Sequence, residues 1–352
     1  MASHPVTRRT LLQGAAAIAA LGAAPVFAQQ AWAQNAGHWP DHPLRMIIPY
    51  PAGGSTDVLF RIMAEALKDK LGQPVVVENK PGASGNIGID AVAKSPPDGY
   101  TIGGATVGHF SINQFLIAKM PYDAEKDLIA PSLAYELPNV AVVAANHVQA
   151  KTLQEFIAFA NHVQAKTLQE FIAFAKARPN GISIGSPGPG TTPHLSGVLF
   201  AARTGVNAIH VPFRGAAQTI PAMLAGDVTF AVDNLASYIP QIEAGTMRAL
   251  AVTSSQRWPT LPNVPTMAEA GVPDFVVTSW GAYVVPTGTP QAIVEKIAAA
   301  HKSLANDEAM QKRFLTAGGR ILSSTPAEAK AFAAKETKMW REVVRLSGLT
   351  PQ

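Results

Sequence analysis

The chain has 352 residues, 47% of them hydrophobic and only 15% charged. That is enough apolar material for two or three domain cores, and it excludes an intrinsically disordered protein. The net charge of +4 includes Arg8 and Arg9 of an apparent leader, and removing both leaves 26 basic residues against 24 acidic ones. So small an excess does not argue for nucleic acid. Cysteine is absent, which excludes disulfides, thiolate metal sites, cysteine nucleophiles and lipid-bearing cysteines.

Residues 1–33 read as an export signal. Thr7-Arg8-Arg9-Thr10-Leu11-Leu12-Gln13 leads into the alanine-rich apolar stretch Gly14 to Phe27. Paired arginines before such a core match the twin-arginine pattern, and small residues allow cleavage after Ala28 or Ala33. The core is shorter than the roughly 20 apolar residues needed to span a bilayer. The mature protein is therefore expected to be soluble and periplasmic.

From about residue 43 strands and helices alternate. The apolar run Arg45 to Tyr50 is followed by the turn Pro51-Ala52-Gly53-Gly54-Ser55. Apolar residues at Leu59, Ile62, Met63, Ala66, Leu67 and Leu71 then have helical spacing, and Gly72 ends the helix. Pro74 to Glu78 reads as a strand, its three consecutive valines implying burial on both faces. A glycine loop over 81–88, a helix through Lys94 and a third strand from Tyr100 to Ala105 follow. Later strands are expected at 140–144, 181–185, 208–211, 228–232 and 248–253. The alternation predicts an α/β protein with mainly parallel sheets, its ligands bound at the carboxyl ends of the strands.

Asn146 to Ala160 recurs unchanged as Asn161 to Ala175. Two short copies do not make a solenoid, and the repeat reads as an in-frame duplication or an assembly error. Each copy carries Thr-Leu-Gln-Glu, a capping box, so Thr152 and Thr167 can each start a helix. The core face accepts one copy, so the duplicated segment is expected to project from the surface.

No enzyme signature survives inspection. Gly181-Ile182-Ser183-Ile184-Gly185 fits the nucleophile-elbow pattern, but Ser183 falls inside a strand, ahead of the turn that motif requires. Gly185 to Thr192 lacks the lysine of a P-loop, and the glycines of 82–88 have the wrong spacing for a dinucleotide fingerprint. The histidines show no metal-ligand spacing. What remains is a set of donor-rich loops between strands and helices: 51–57, 105–109, 186–194 and 211–215. Helix starts of this kind offer free N–H groups and partial positive charge to a carboxylate without any lysine.

Several stretches together resemble the Bug-type (Bordetella uptake gene) periplasmic receptors of tripartite tricarboxylate transporters. They include Pro49-Tyr50-Pro51-Ala52-Gly53-Gly54-Ser55-Thr56-Asp57, Glu78-Asn79-Lys80-Pro81-Gly82-Ala83-Ser84-Gly85-Asn86-Ile87-Gly88 and Pro97-Asp98-Gly99-Tyr100-Thr101. His210-Val211-Pro212-Phe213-Arg214-Gly215, Leu261-Pro262-Asn263-Val264-Pro265-Thr266 and Pro286-Thr287-Gly288-Thr289-Pro290 continue the match in order. The duplication departs from the family pattern, as does Arg214 where lysine is commoner.

The resemblance implies a two-lobed α/β periplasmic binding protein of the type II, Venus-flytrap kind, with a hinge between lobes. Lobe I is expected at 43–143 plus 276–352 and lobe II at 144–275. It also implies a monomeric receptor, not an enzyme, without cofactor or metal, that passes a small carboxylate to membrane permease subunits. The acid is left open among dicarboxylates, tricarboxylates, aromatic acids and acidic amino acids. Carried over by position, the ligand site takes Ala52, Gly53, Gly54, Ser55 and Asp57 from the first loop, then Thr106 and His109. From the second lobe come Ser186, Thr191, Thr192, His194, Phe213, Gly215, Asp233 and Asn234. Asp57 is awkward beside an anion and fits better as a brace for its loop. His194 either donates to a carboxylate or packs on its own helix, and Phe213 either stacks on an aromatic ligand or packs beside the hinge. A sensing receptor for a two-component system and a serine esterase using Ser183 are the alternatives.

Overall fold

Prolines on either side of Leu44–Ile48 (β1) bound a five-residue apolar strand, which lies between two parallel neighbours, Val75–Asn79 (β2) and Thr101–Thr106 (β3). The computed structural model describes residues 38–145 and 165–347, with 349 and 351. Ser55–Leu71 (α1) connects β1 to β2 and stops where Gly72 turns left-handed (φ 75°) and donates its N–H to Lys68 O. Asn86–Ala93 (α2) connects β2 to β3. After β3 a single π-turn, Gly108–Ile112, runs into the short helix Asn113–Leu116 (α3). The chain then passes Leu128–Ile129 (β4) to the long strand Leu133–Ala144 (β5).

The second half repeats the alternation. It runs Leu168–Lys176 (α4), Ile182–Ser186 (β6), Thr192–Thr204 (α5), Ala208–Pro212 (β7), Ala216–Ala225 (α6), Phe230–Asn234 (β8), Leu235–Glu243 (α7) and Met247–Val252 (β9). The chain returns along Thr278–Pro286 (β10). Gln291–Ala305 (α8), Glu308–Thr316 (α9), Arg320–Ile321 (β11) and Pro326–Ser347 (α10) complete it.

The strands form one sheet in the order β2-β1-β3-β10-β5-β8-β6-β7, with β9 and β11 also on β5 and β4 on β10. The expectation of mainly parallel pairing is corrected here. Pairs at the two ends, β1 with β2 and β3, and β6 with β7 and β8, are parallel. The pairs through the middle are antiparallel. The cause is the path of the chain, which leaves the first half along β5 and comes back along β10 in the opposite direction. β5 itself changes partners part-way: Leu133 to Pro138 face β10, and Asn139 to Ala144 face β8 and β9.

A second correction concerns β2. Val76 is 57% exposed because β2 is the last strand of the sheet, so consecutive valines there do not mean burial on both faces.

Aromatic clusters fix the packing on either side of β5. Phe60 of α1 meets Tyr135 and Tyr283 edge-on, with ring centroids 5.4 and 5.5 Å away. A Cβ at Gly104 would come within 2.7 Å of the Phe60 ring, so only glycine lets α1 lie this close to β3. In the second half Phe230 stacks on Phe171 at 4.3 Å and meets Phe200 at 4.8 Å. At the C-terminus, Trp280 and Trp340 both donate to one oxygen of Glu336, at 3.0 and 3.1 Å, which ties α10 to β10.

Phe171 belongs to the second copy of the duplication. That copy forms α4, capped by Thr167, whose hydroxyl accepts from Glu170 N, and it buries Leu168, Phe171 and Ala175. Glu170 reaches back one residue beyond the cap, to Lys166 N at 2.7 Å. The first copy, with Thr152 and the expected projection from the surface, lies outside the described residues. Both ends of the intervening stretch meet the start of β9: Ala145 N–H donates to Thr246 O, and Arg248 donates to Ala165 O, each at 2.9 Å.

Removing either copy gives the same sequence and shortens the connection between Ala145 and Ala165 from 19 residues to four. If the extra copy adds chain length and no packing, closing the shorter connection costs about 1 kcal/mol less, which for a chain of this size is a rise in Tm of about 2 °C. Calorimetry of the deletion variant checks this; a lower Tm would show that the first copy contributes packing.

Candidate functional site

Four helices begin around one cleft of about 630 Å³, its open mouth included: α1 at Ser55, α5 at Thr192, α6 at Ala216 and α7 at Leu235. Each follows a strand end, as alternating α/β connections require. Gly54 and Gly215 enter their helices in extended conformation. Thr191 caps α5 through its hydroxyl, and Pro193 sits in the first turn where no N–H is needed. The N–H groups of a first helical turn have no acceptor within their own helix and carry partial positive charge. Among the described residues the lining holds no lysine, arginine or histidine, and its one acid is Asp233.

Of the residues named from sequence, Ala52, Gly54, Ser55, Thr106, Thr191, Thr192, Gly215, Asp233 and Asn234 line this cleft. The others stand behind it. Gly53 turns left-handed (φ 82°) and donates its N–H to Asp57 Oδ2 at 2.9 Å. Asp57 also accepts from Arg61 at 2.9 Å and from Asn79 at 2.7 Å, so its carboxylate braces the loop. His109 accepts the Thr106 N–H on Nδ1 at 2.9 Å, and Ser186 bonds His210 Nε2 at 2.7 Å. His194 stacks on His210 with ring centroids 4.1 Å apart. Phe213 is half-buried in the apolar cluster around α6 and α7. Ser183 lies within β6, bonded to Thr229 through N–H and hydroxyl at 2.9 and 3.2 Å, with no histidine among its partners.

Sequence reasoning missed Tyr135, Ser237, Ser279 and Trp280, which also line the cleft. Two of them join its walls. Ser237 accepts the Ser55 N–H at 2.8 Å and shares a hydrogen bond with its hydroxyl at 2.7 Å. The Ser279 hydroxyl bonds that of Thr192 and reaches Asn234 Oδ1 at 2.6 Å and Asn139 Oδ1 at 3.2 Å. Ser279 has one proton to give, so it donates to one amide at a time and accepts from Thr192. Neither serine stands in a motif; only the topology brings them here.

Burial keeps the histidines and tyrosines around the cleft uncharged. It pushes His109 down to about 3 and His194 down to about 4, the latter with His210 adding a smaller push, and it lowers His210 as well. It raises Tyr50 to about 12 and Asp233 to about 7. The histidines are therefore neutral imidazoles at neutral pH. The cleft can hold an anion through N–H groups, hydroxyls and helix ends, and through no formal cation.

Comparison with known proteins identifies the family. The model of the tripartite tricarboxylate transporter family receptor matches residues 59–164 and 160–349, two stretches that meet at the duplication. Protein BugT of Bordetella pertussis is 34% identical over 315 residues, covering 89% of this chain and 92% of that protein. The structure of R. palustris Rpa4515 with adipate superposes with a TM-score of 0.82 at 32% identity, over 89% of this chain and 100% of the other. MatC from Rhodopseudomonas palustris with bound malate gives 0.76 at 26% identity, over 87% of this chain and 100% of the other. The chain belongs to the Bug-type receptors of the tripartite tricarboxylate transporter family, solute-binding proteins with the two-lobed α/β fold of periplasmic binding proteins.

Proposed function

We propose that this receptor captures a small carboxylate between its lobes in the periplasm and delivers it to the membrane permease subunits of a tripartite transporter. The observation that carries the reading is the convergence of four helix N-termini on a cleft lined by neutral donors. Such donors select an anion, and their number on facing walls favours a ligand with an acid group for each. Adipate and malate in the two similar structures make dicarboxylates the first class to test.

Capture is by closure. Lobe I takes residues 43–143 with 276–352, lobe II takes 144–275, and the crossing strands β5 and β10 serve as the hinge. The partner change at Pro138 and Asn139 supports placing the bend within β5, five residues ahead of the 143–144 boundary, with Asn139 to Val143 paired to strands of lobe II. A ligand that bonds both lobes binds the closed form better than the open one, and that difference sets the closed population. Residues 1–33 act as a twin-arginine export signal. No helix among the described residues is long and apolar enough to cross a membrane.

The test is a thermal-shift screen of the chain from residue 34 against dicarboxylates, tricarboxylates, aromatic acids and acidic amino acids. A ligand at 100 times its Kd adds about 2.7 kcal/mol, which raises Tm by several degrees. A melt unmoved by every acid in the panel would overturn the reading.

A further inference from the structure

We propose that Asp233 couples ligand capture to a proton: the cleft takes its carboxylate with Asp233 held as a neutral acid. This rests on the carboxylate-receptor reading above and adds a pH dependence to the same site. Asp233 is the penultimate residue of β8, on the cleft wall, and is 1% exposed. Its Oδ1 accepts from Asn234 N–H at 2.7 Å and its Oδ2 from the Tyr238 hydroxyl at 3.2 Å. Neither donor carries charge, and no cation among the described residues lines the cleft. An ionised Asp233 and an incoming carboxylate would be like charges in one enclosed space with no counter-charge between them, which disfavours having both ionised. Protonation removes the repulsion. Each carboxyl oxygen has one protein donor and a second site free, so the neutral acid keeps both bonds and has a proton to offer the ligand.

The groups around Asp233 leave it as the one that titrates near neutrality. On β5 the residue opposite is Val140, α6 presents Ala216 to the same wall, and α7 contributes Tyr238, which burial and Asp233 itself keep protonated. Tyr50 and Tyr135 of the lining are likewise held protonated by burial. His109, His194 and His210 behind the cleft are lowered and stay neutral. Asp57 is turned away and paired with Arg61. Burial, offset in part by the hydrogen bonds from Asn234 and Tyr238, raises Asp233 to about 7, and a bound anion pushes it higher. The direction follows: binding takes up a proton above pH 7 and tightens as pH falls through that value.

Titration calorimetry of the chain from residue 34 with adipate as probe, at pH 6 and pH 8 in buffers of different ionisation heat, tests this. The expected result is a Kd about tenfold higher at pH 8, where about one site in ten remains competent, with net proton uptake on binding at pH 8. Asp233→Asn should abolish both the uptake and the slope. Adipate binding with a flat Kd and no proton exchange overturns the role of Asp233 and leaves the receptor reading intact. If neither adipate nor any other acid of the thermal-shift panel binds at either pH value, the receptor reading falls and takes this one with it. The wild-type proton count needs no variant, so a misfolded Asp233→Asn leaves the test decisive.

Discussion

Ala217→Asp is expected to weaken carboxylate binding by about 10–100-fold while leaving Tm unchanged or slightly raised. Ala217 is the second residue of α6, exposed, and part of the cleft lining. An aspartate in a first helical turn stabilises its helix by about 0.3–1 kcal/mol through the macrodipole. The same charge about 6 Å from a bound carboxylate repels it by about 1.5–3 kcal/mol at an effective dielectric of 20–40. Stability and affinity therefore move in opposite directions, which misfolding cannot imitate. Ala327→Asp provides the control, since it puts the same charge in the first turn of α10, outside the cleft lining. Wild-type affinity in Ala217→Asp would remove the α6 N-terminus from the anion site.

That prediction depends on a helix start that the sequence made legible. Proline, glycine and hydroxyl clusters after short apolar runs marked where each helix begins, because those residues have local reasons to be there. Asp57 could be read as a brace from its position in the loop alone. What was not legible depends on distant contacts. Ser279 lies in β10 and Ser237 in the first turn of α7, each surrounded by ordinary apolar sequence. They reach the cleft because β10 returns beside β5 and α7 starts opposite Ser55. The antiparallel middle of the sheet escaped for the same reason: a local alternation of strands and helices says nothing of the direction in which the chain recrosses. The exposure of Val76 followed from its strand being at the edge, which is again a property of the whole sheet.

The residue on which most of these distant contacts converge is Asn139, and Asn139→Leu is expected to lower stability by about 1–3 kcal/mol and to weaken ligand binding with it. Asn139 is fully buried, at the point where β5 exchanges one set of partners for the other. Its backbone pairs with Thr253 on both N–H and C=O, and leucine keeps those bonds. Its side chain donates to Ser196 Oγ of α5 at 2.8 Å and accepts from Ser279 of β10 at 3.2 Å, joining elements from both halves. Leucine leaves the buried Ser196 hydroxyl without that donor. Ser279 keeps Asn234 and Thr192 but loses the alternative acceptor that centres it between the cleft walls. A buried polar atom stripped of its partner costs more than a pair removed together. The double variant Asn139→Leu/Ser196→Ala should therefore recover part of the lost stability in urea titration, while binding, which depends on Ser279, stays weak. Strict additivity of the two stability losses would show that the Asn139–Ser196 bond is not the source. Recovery of both stability and binding would show that Ser279 does not need Asn139, and that the hydroxyl bridge between Thr192 and Asn234 holds the cleft walls on its own.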